Sequence, residues 1–219
     1  MKSEIKGRPA FAYIEVELDP NDMITAESDA MSSMSDEITL ATRTNGGFFK
    51  GLIKKFFAKE SLFVNDFSNQ TSTAQTLTLV QATPGDIMSK ELKNETYYLQ
   101  PGAYIASTPG VDFKVKWAGF TSWFAGEGLF RIGVHGTGTV WYGAYGGLIE
   151  KEIDGELIVD TNHLVAYEPH MKLKLQLSGS LFSSFFGGEG WVTRVEGKGK
   201  VIIQTRSLNG LIEWTNRNL

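Results

Sequence analysis

Apolar and polar side chains alternate strictly along several stretches of this chain, and no other feature limits its fold as much. The stretch "VDFKVKW" puts Val111, Phe113, Val115 and Trp117 on one face and Asp112, Lys114 and Lys116 on the other. "MKLKLQL" does the same with Met171, Leu173, Leu175 and Leu177, and "IEVEL" with Ile14, Val16 and Leu18. Successive side chains of a strand point to opposite sides of the sheet, so each stretch reads as a strand with one buried and one wet face. That pattern belongs to antiparallel sheets. Turn residues separate the stretches, including 24 glycines. Many short strands punctuated in this way predict an all-β sandwich or barrel. The Gly-x-Gly of "VHGTGTVWY" and of "VEGKGKVII" is expected at bends or bulges, where a missing Cβ relieves strain.

A second pattern overlies the first. "FFAKESLF" (56–63), "WFAGEGLF" (123–130) and "FFGGEGWV" (185–192) share an aromatic pair, two mostly small residues, a glutamate, a small residue and an apolar pair. Comparable segments precede each. The chain is therefore read as one domain, 1–219, of three tandem antiparallel units at about 22–87, 95–153 and 155–208, with one strand before them. A single unit cannot close its own sheet, so the expected architecture is a β-sandwich or prism in which three units share a core. The repeated carboxylates are Glu60, Glu127 and Glu189. A residue that recurs in every unit fits a local structural task, such as accepting backbone N–H groups at a turn. The competing reading is a cluster of three carboxylates on a pseudo-threefold axis, which would need a cation or shared protons against like-charge repulsion.

One stretch departs from period two. In "GGFFKGLIKKFFAKE", Phe49, Leu52, Ile53, Phe56 and Phe57 fall near helical spacing, with Lys50, Lys54, Lys55 and Lys59 among them. Gly51 weakens such a helix. It reads either as a cap on the β core with solvated lysines or as a membrane-surface helix. The corresponding segments are aromatic-rich without the lysines. Together, Phe48, Phe49, Lys50, Lys54, Lys55, Phe56, Phe57, Trp123, Phe124, Phe185 and Phe186 form a candidate contact set for a membrane or a protein partner.

Composition narrows the chemistry. With 219 residues the chain can bury a core without staples, and it has no cysteine for a disulfide, a thiolate nucleophile or a cysteine metal site. The net charge of −4 gives no global attraction for nucleic acid. Neither a signal-peptide pattern nor a spanning run of apolar residues occurs, so a soluble, cytoplasmic protein is expected. His163 and His170 lie seven residues apart with no third ligand marked by spacing, His135 sits beside a glycine turn, and no metal site is assigned. "HGTGTV" lacks the third glycine and the βαβ setting of a dinucleotide fingerprint. No phosphate loop or nucleophile elbow is present, so no catalytic residue or cofactor is assigned and the chain is expected not to be an enzyme. Trp117, Trp141, Tyr142 and Tyr145 could stack bases, and Arg194, Lys198, Lys200 and Arg206 add positive charge. A solvated strand face explains the same residues more simply.

The stretches "GGFFKGLIKKFFAKESLFVNDF", "LQPGAYIAS", "GEGLF", "GTGTVW" and "GELIVDTNHLVAYEP" run in order along nearly the whole chain. In them the chain resembles bacterial members of the mitochondrial-biogenesis (altered inheritance of mitochondria) family, a family of unknown function. The resemblance implies a β-sandwich akin to the tryptophan RNA-binding attenuator protein, and assembly into oligomers. Eukaryotic relatives are mitochondrial and associated with inner-membrane organisation, and the family offers no catalytic residues to carry over. The expectation is thus a non-enzymatic scaffold or interaction protein that self-assembles. The alternatives are peripheral membrane association through 48–59 and single-stranded RNA binding, with nucleic acid the least favoured.

Overall fold

The computed structural model describes residues 1–44, 63–117, 130–177 and 191–218, and these are predominantly β. The strands are β1 (Lys2–Lys6), β2 (Tyr13–Leu18), β3 (Met23–Glu27), β4 (Met31–Met34), β5 (Ile38–Thr44), β6 (Phe63–Asn69) and β7 (Gln75–Val80). They continue with β8 (Ile87–Leu99), β9 (Tyr104–Ser107), β10 (Val111–Trp117), β11 (Phe130–Gly143), β12 (Leu148–Asp160), β13 (Leu164–Tyr167), β14 (Lys172–Leu177) and β15 (Trp191–Gln204). A 3-10 turn, Thr161–His163, follows β12, and a helix α1, Leu208–Asn218, follows β15.

The alternating stretches behave as their pattern requires. In β2, Ile14, Val16 and Leu18 are buried while Glu15 is exposed. Val111 is buried at the start of β10, Asp112 is exposed, and Phe113 packs against Tyr104 at 4.5 Å, edge to face. Met171 is buried just before β14, and Leu173 packs beside it.

A four-stranded sheet runs β1-β2-β7-β4. A larger one runs β12-β15-β13-β8-β11-β9-β3-β6-β5, with β10 added on β11 and β14 on β15. All the strand pairs within them are antiparallel. Each strand order is a path with two ends, so among the described residues the sheets are open. β11 and β15 are the two long rails, each 14 residues. β8 lines one edge of β11, and β10 and β9 line the other. β12 lines one edge of β15, and β14 and β13 line the other.

The Gly-x-Gly segments sit where the rails deform. Gly136, Gly138, Gly197 and Gly199 all have positive φ, and the β8–β11 register shifts between Gly136 and Thr137. At Gly136 the backbone carbonyl of Gly110 would lie 2.1 Å from any added Cβ, so only glycine fits.

Three apolar clusters follow one another along the chain. The first holds Ile14, Leu18, Phe67 and Leu79 and reaches Ile87, Ile105 and Trp141. The second holds Leu99, Tyr104 and Val140 and reaches Val165, Ala166 and Ile202. The third holds Tyr98, Val159, Tyr167, Val195 and Val201. Burying each such side chain is worth roughly 1.5–3 kcal/mol.

Candidate interaction surface

The sequence-derived carboxylates Glu60, Glu127 and Glu189 lie outside the described residues. So do Phe48, Phe49, Lys50, Lys54, Lys55, Phe56, Phe57, Trp123, Phe124, Phe185 and Phe186, and the helical stretch from Gly46. The described strands on either side of these segments pair in a common way: Thr44 opposite Phe63, Trp117 opposite Phe130, and Leu177 opposite Trp191.

Two of the four residues weighed for base stacking are placed in the core. Trp141 and Tyr142 are core residues, each 3% exposed. Period two hides this, because Trp141 faces the first cluster and Tyr142, on the opposite face, packs in the second. Three of the four cations of the third segment are matched by acids across the strands, Arg194–Glu156 at 2.7 Å, Lys198–Asp154 at 2.9 Å and Lys200–Glu150 at 2.7 Å, as is Lys174 by Glu196 at 2.7 Å, while Arg206 donates to the Thr205 carbonyl at 3.0 Å. Such a face is a ladder of exposed ion pairs, each contributing little to stability. His163 Nδ1 lies 2.7 Å from the Gln204 carbonyl, and His170 Nε2 lies 2.6 Å from the Lys198 carbonyl. Among the described residues no group of three potential metal ligands comes together.

Three polar contacts inside the fold were not legible as spacings. Arg8 grips the buried carboxylate of Asp86 at two points. Asp66 accepts from Arg43 Nε at 2.6 Å and from Thr25 Oγ1 at 2.6 Å, while Tyr104 donates to the Thr25 carbonyl at 3.1 Å. Burial alone would raise the pKa of Asp66, but the hydrogen bonds from Arg43 and Thr25 hold it below its ordinary value. Close by, burial and the neighbouring charge of Asp29 push Glu27 up to about 7. In the third contact, Arg131 stacks on the Tyr98 ring at 4.6 Å and donates to the Tyr167 hydroxyl at 3.1 Å. These groups hold strands together.

The fold leaves several large apolar side chains exposed among the described residues. α1 contains no buried residue. Leu208, Leu211, Ile212 and Thr215 recur at helical spacing, and Leu208, Leu211, Ile212 and the flanking Trp214 are 48%, 42%, 49% and 64% exposed. Ser207 caps the helix, its Oγ accepting from the Gly210 N–H at 3.0 Å. An isolated helix of 11 residues is marginal in water, so this one needs a surface against its apolar stripe. Asn209 donates to Asn162 Oδ1 at 2.8 Å, which ties the start of α1 to the turn after β12. There Ile158 is 49% exposed on an end strand of the larger sheet. At an end of the smaller sheet, every residue of β4 is exposed, including Met31 and Met34. The spacing of α1 was present in the sequence, but its apolar positions resemble any short core helix until the packing is seen.

The chain is similar to known proteins. The family model described as mitochondrial biogenesis AIM24 matches residues 3–206. An uncharacterised protein of Streptococcus pyogenes serotype M6 is 26% identical over 217 residues, covering 95% of this chain and 87% of that protein. The X-ray crystal structure of a Streptococcus pyogenes protein superposes with a TM-score of 0.79 at 24% identity, covering 100% of this chain and 99% of that one. That likeness concerns the fold. Among the described residues, no helix is long and apolar enough to cross a membrane.

Proposed function

The chain belongs to the mitochondrial biogenesis AIM24 family, and from that premise we propose that it is a non-catalytic interaction protein that assembles with further copies of itself. One observation carries the reading: α1, with Leu208, Leu211, Ile212 and Trp214, finds no cover within the described chain. Further support comes from exposed Met31, Met34 and Ile158 on strands that end their sheets. An exposed apolar set of this kind marks a contact surface.

The proposal includes an architecture of three similar units. Its support is the recurrence of one register shift at equivalent places: between Met31 and Ser33, between Trp141 and Tyr142, and between Leu164 and Ala166. The pairing favours earlier unit bounds than the sequence pattern did, at about 13–80, 87–143 and 148–204.

The test is the mass of the native full-length chain by light scattering, with and without liposomes. A discrete multiple of 24.2 kDa that ignores lipid supports self-assembly, and a monomer at micromolar concentration overturns it. α1 also favours a second reading, peripheral membrane association, because an amphipathic helix with a flanking Trp suits a bilayer interface. In that case the monomer moves onto liposomes, and Leu211→Asp abolishes the shift. The acid-matched cations of the third segment favour neither RNA nor anionic lipid as the partner.

A further inference from the structure

We infer that the chain assembles head to tail, the C-terminal part of β12 in one copy pairing with β4 of the next. This rests on the self-assembly reading and specifies its contact.

Inside the chain, one type of edge-to-edge junction forms twice. β3 meets β9 with Thr25 opposite Ser107 and Ala26 opposite Ala106. β8 meets β13 with Tyr98 opposite Tyr167 and Leu99 opposite Ala166. On the first side of each junction, Ala26 and Leu99 are also paired to Asn65 and Ile132, each two residues into its strand. Val159 of β12, paired to Thr193, holds the same place. On the second side, Ser107 and Tyr167 stand opposite Val140 and Val201, beyond a one-residue register shift. Met34 of β4, opposite Leu77 beyond the same kind of shift, holds the same place.

A third junction would therefore put Ile158 opposite Met34 and Val159 opposite Ser33. No pairing joins β12 to β4 in the described chain, and each strand ends its own sheet. Burial marks the difference. At the formed junctions Thr25, Ser107, Tyr98 and Tyr167 are at most 6% exposed, whereas Ile158 is 49% and Met34 36% exposed. Ala30, which leads into β4, packs in the first cluster and Val159 in the third, and the two clusters share no residue. A second copy supplies the missing strand to each edge in the geometry the chain already uses. The two edges are different surfaces, so the contact is heterologous and closes into a ring or extends as a chain of copies. The hydrogen bond from Asn209 to Asn162 adds the start of α1 to the same end of β12.

The absence of cysteine allows a test free of background. Residues directly opposite on antiparallel strands have Cα atoms about 4.5–5.5 Å apart, within the span a disulfide bridges. Full-length Ile158→Cys and Met34→Cys are mixed and oxidised. We expect a disulfide dimer in the mixture and none from either variant alone, and none when Phe11→Cys, at a site 75% exposed, replaces Ile158→Cys. Ile158→Lys should raise the concentration for half-assembly roughly tenfold or more, and adding Met34→Glu to the same chain should restore it. An oligomer without the mixed disulfide overturns this contact and leaves self-assembly standing. An Ile158→Cys, Met34→Cys double variant that closes within a monomeric chain overturns it in favour of an internal junction. A monomer by light scattering overturns both.

Discussion

Arg8 and Asp86 stand 78 positions apart in sequence and meet in a two-point ion pair, Nε to Oδ1 at 2.7 Å and Nη2 to Oδ2 at 2.9 Å. The carboxylate is only 3% exposed, while the arginine is 47% exposed. The contact ties the approach to β2 to the start of β8, beside the Ala12 N–H bond to the Gly85 carbonyl at 2.9 Å.

Removing the exposed partner leaves a buried carboxylate with the Ile87 N–H at 2.9 Å but without its counter-ion. Arg8→Ala is expected to cost about 1–3 kcal/mol by urea denaturation, since an unsatisfied buried group carries its full desolvation penalty. Arg8→Lys should recover only part of this, because an ammonium cannot make the planar two-point contact.

Asn69 is fully buried and organises a turn. Its Nδ2 donates to the carbonyls of Leu18 and Thr73, both at 2.8 Å, and its Oδ1 accepts from the Thr71 N–H at 2.9 Å. Asn69→Ala should destabilise the chain by roughly 2–4 kcal/mol, as more than one buried backbone group loses its partner. Asn69→Asp should fare little better, because a carboxylate cannot donate to those carbonyls. Equilibrium unfolding of the three proteins decides this.

Two glycines separate backbone strain from steric clash. Gly155 and Gly136 have nearly equal φ, +125° and +124°, but an added Cβ meets nothing within 4 Å at Gly155 and the Gly110 carbonyl at 2.1 Å at Gly136. Gly155→Ala should cost about 1–3 kcal/mol for the unfavourable φ alone. Gly136→Ala should cost clearly more, because the β10–β11 pair must part. Thermal melts of both variants measure the difference.

Two partly buried carboxyls, Glu27 and Asp66, pull stability in opposite directions with pH. Glu27, raised from 4.5 to about 7 by burial and then by Asp29, is disfavoured as an anion in the folded state. Its stabilising effect is therefore present at low pH and is lost as pH rises from about 4.5 through 7. Glu27→Gln should raise Tm more at pH 8 than at pH 5. Asp66 is held below its ordinary 3.8 by Arg43 and Thr25 against the cost of burial, so its contribution is present above that value and fades as pH falls through the lower folded one. Asp66→Asn should lower Tm at pH 7 and flatten the acid limb of the profile. Equal shifts at all pH values would contradict both assignments.

By itself the sequence determined the strands, their inward faces and the glycine bends. Alternation at Ile14, Val16 and Leu18 forces one face inward, since a one-residue slip would expose all three. What it left open was which edge meets which. Ile158 and Tyr98 read alike as apolar residues on strands, yet one is half exposed and the other is buried against Tyr167. Trp141 and Tyr142 read as residues of a solvated strand face, with base stacking as the alternative, and both lie in the core. Arg8 and Asp86, or Arg43 and Asp66, carry no spacing that announces their pairing. Period and turn chemistry act over a few residues and can be read along the chain. Edge pairing, burial and ion pairing join groups far apart in sequence, and only the tertiary structure decides them, because the water each group loses depends on what the rest of the fold brings against it.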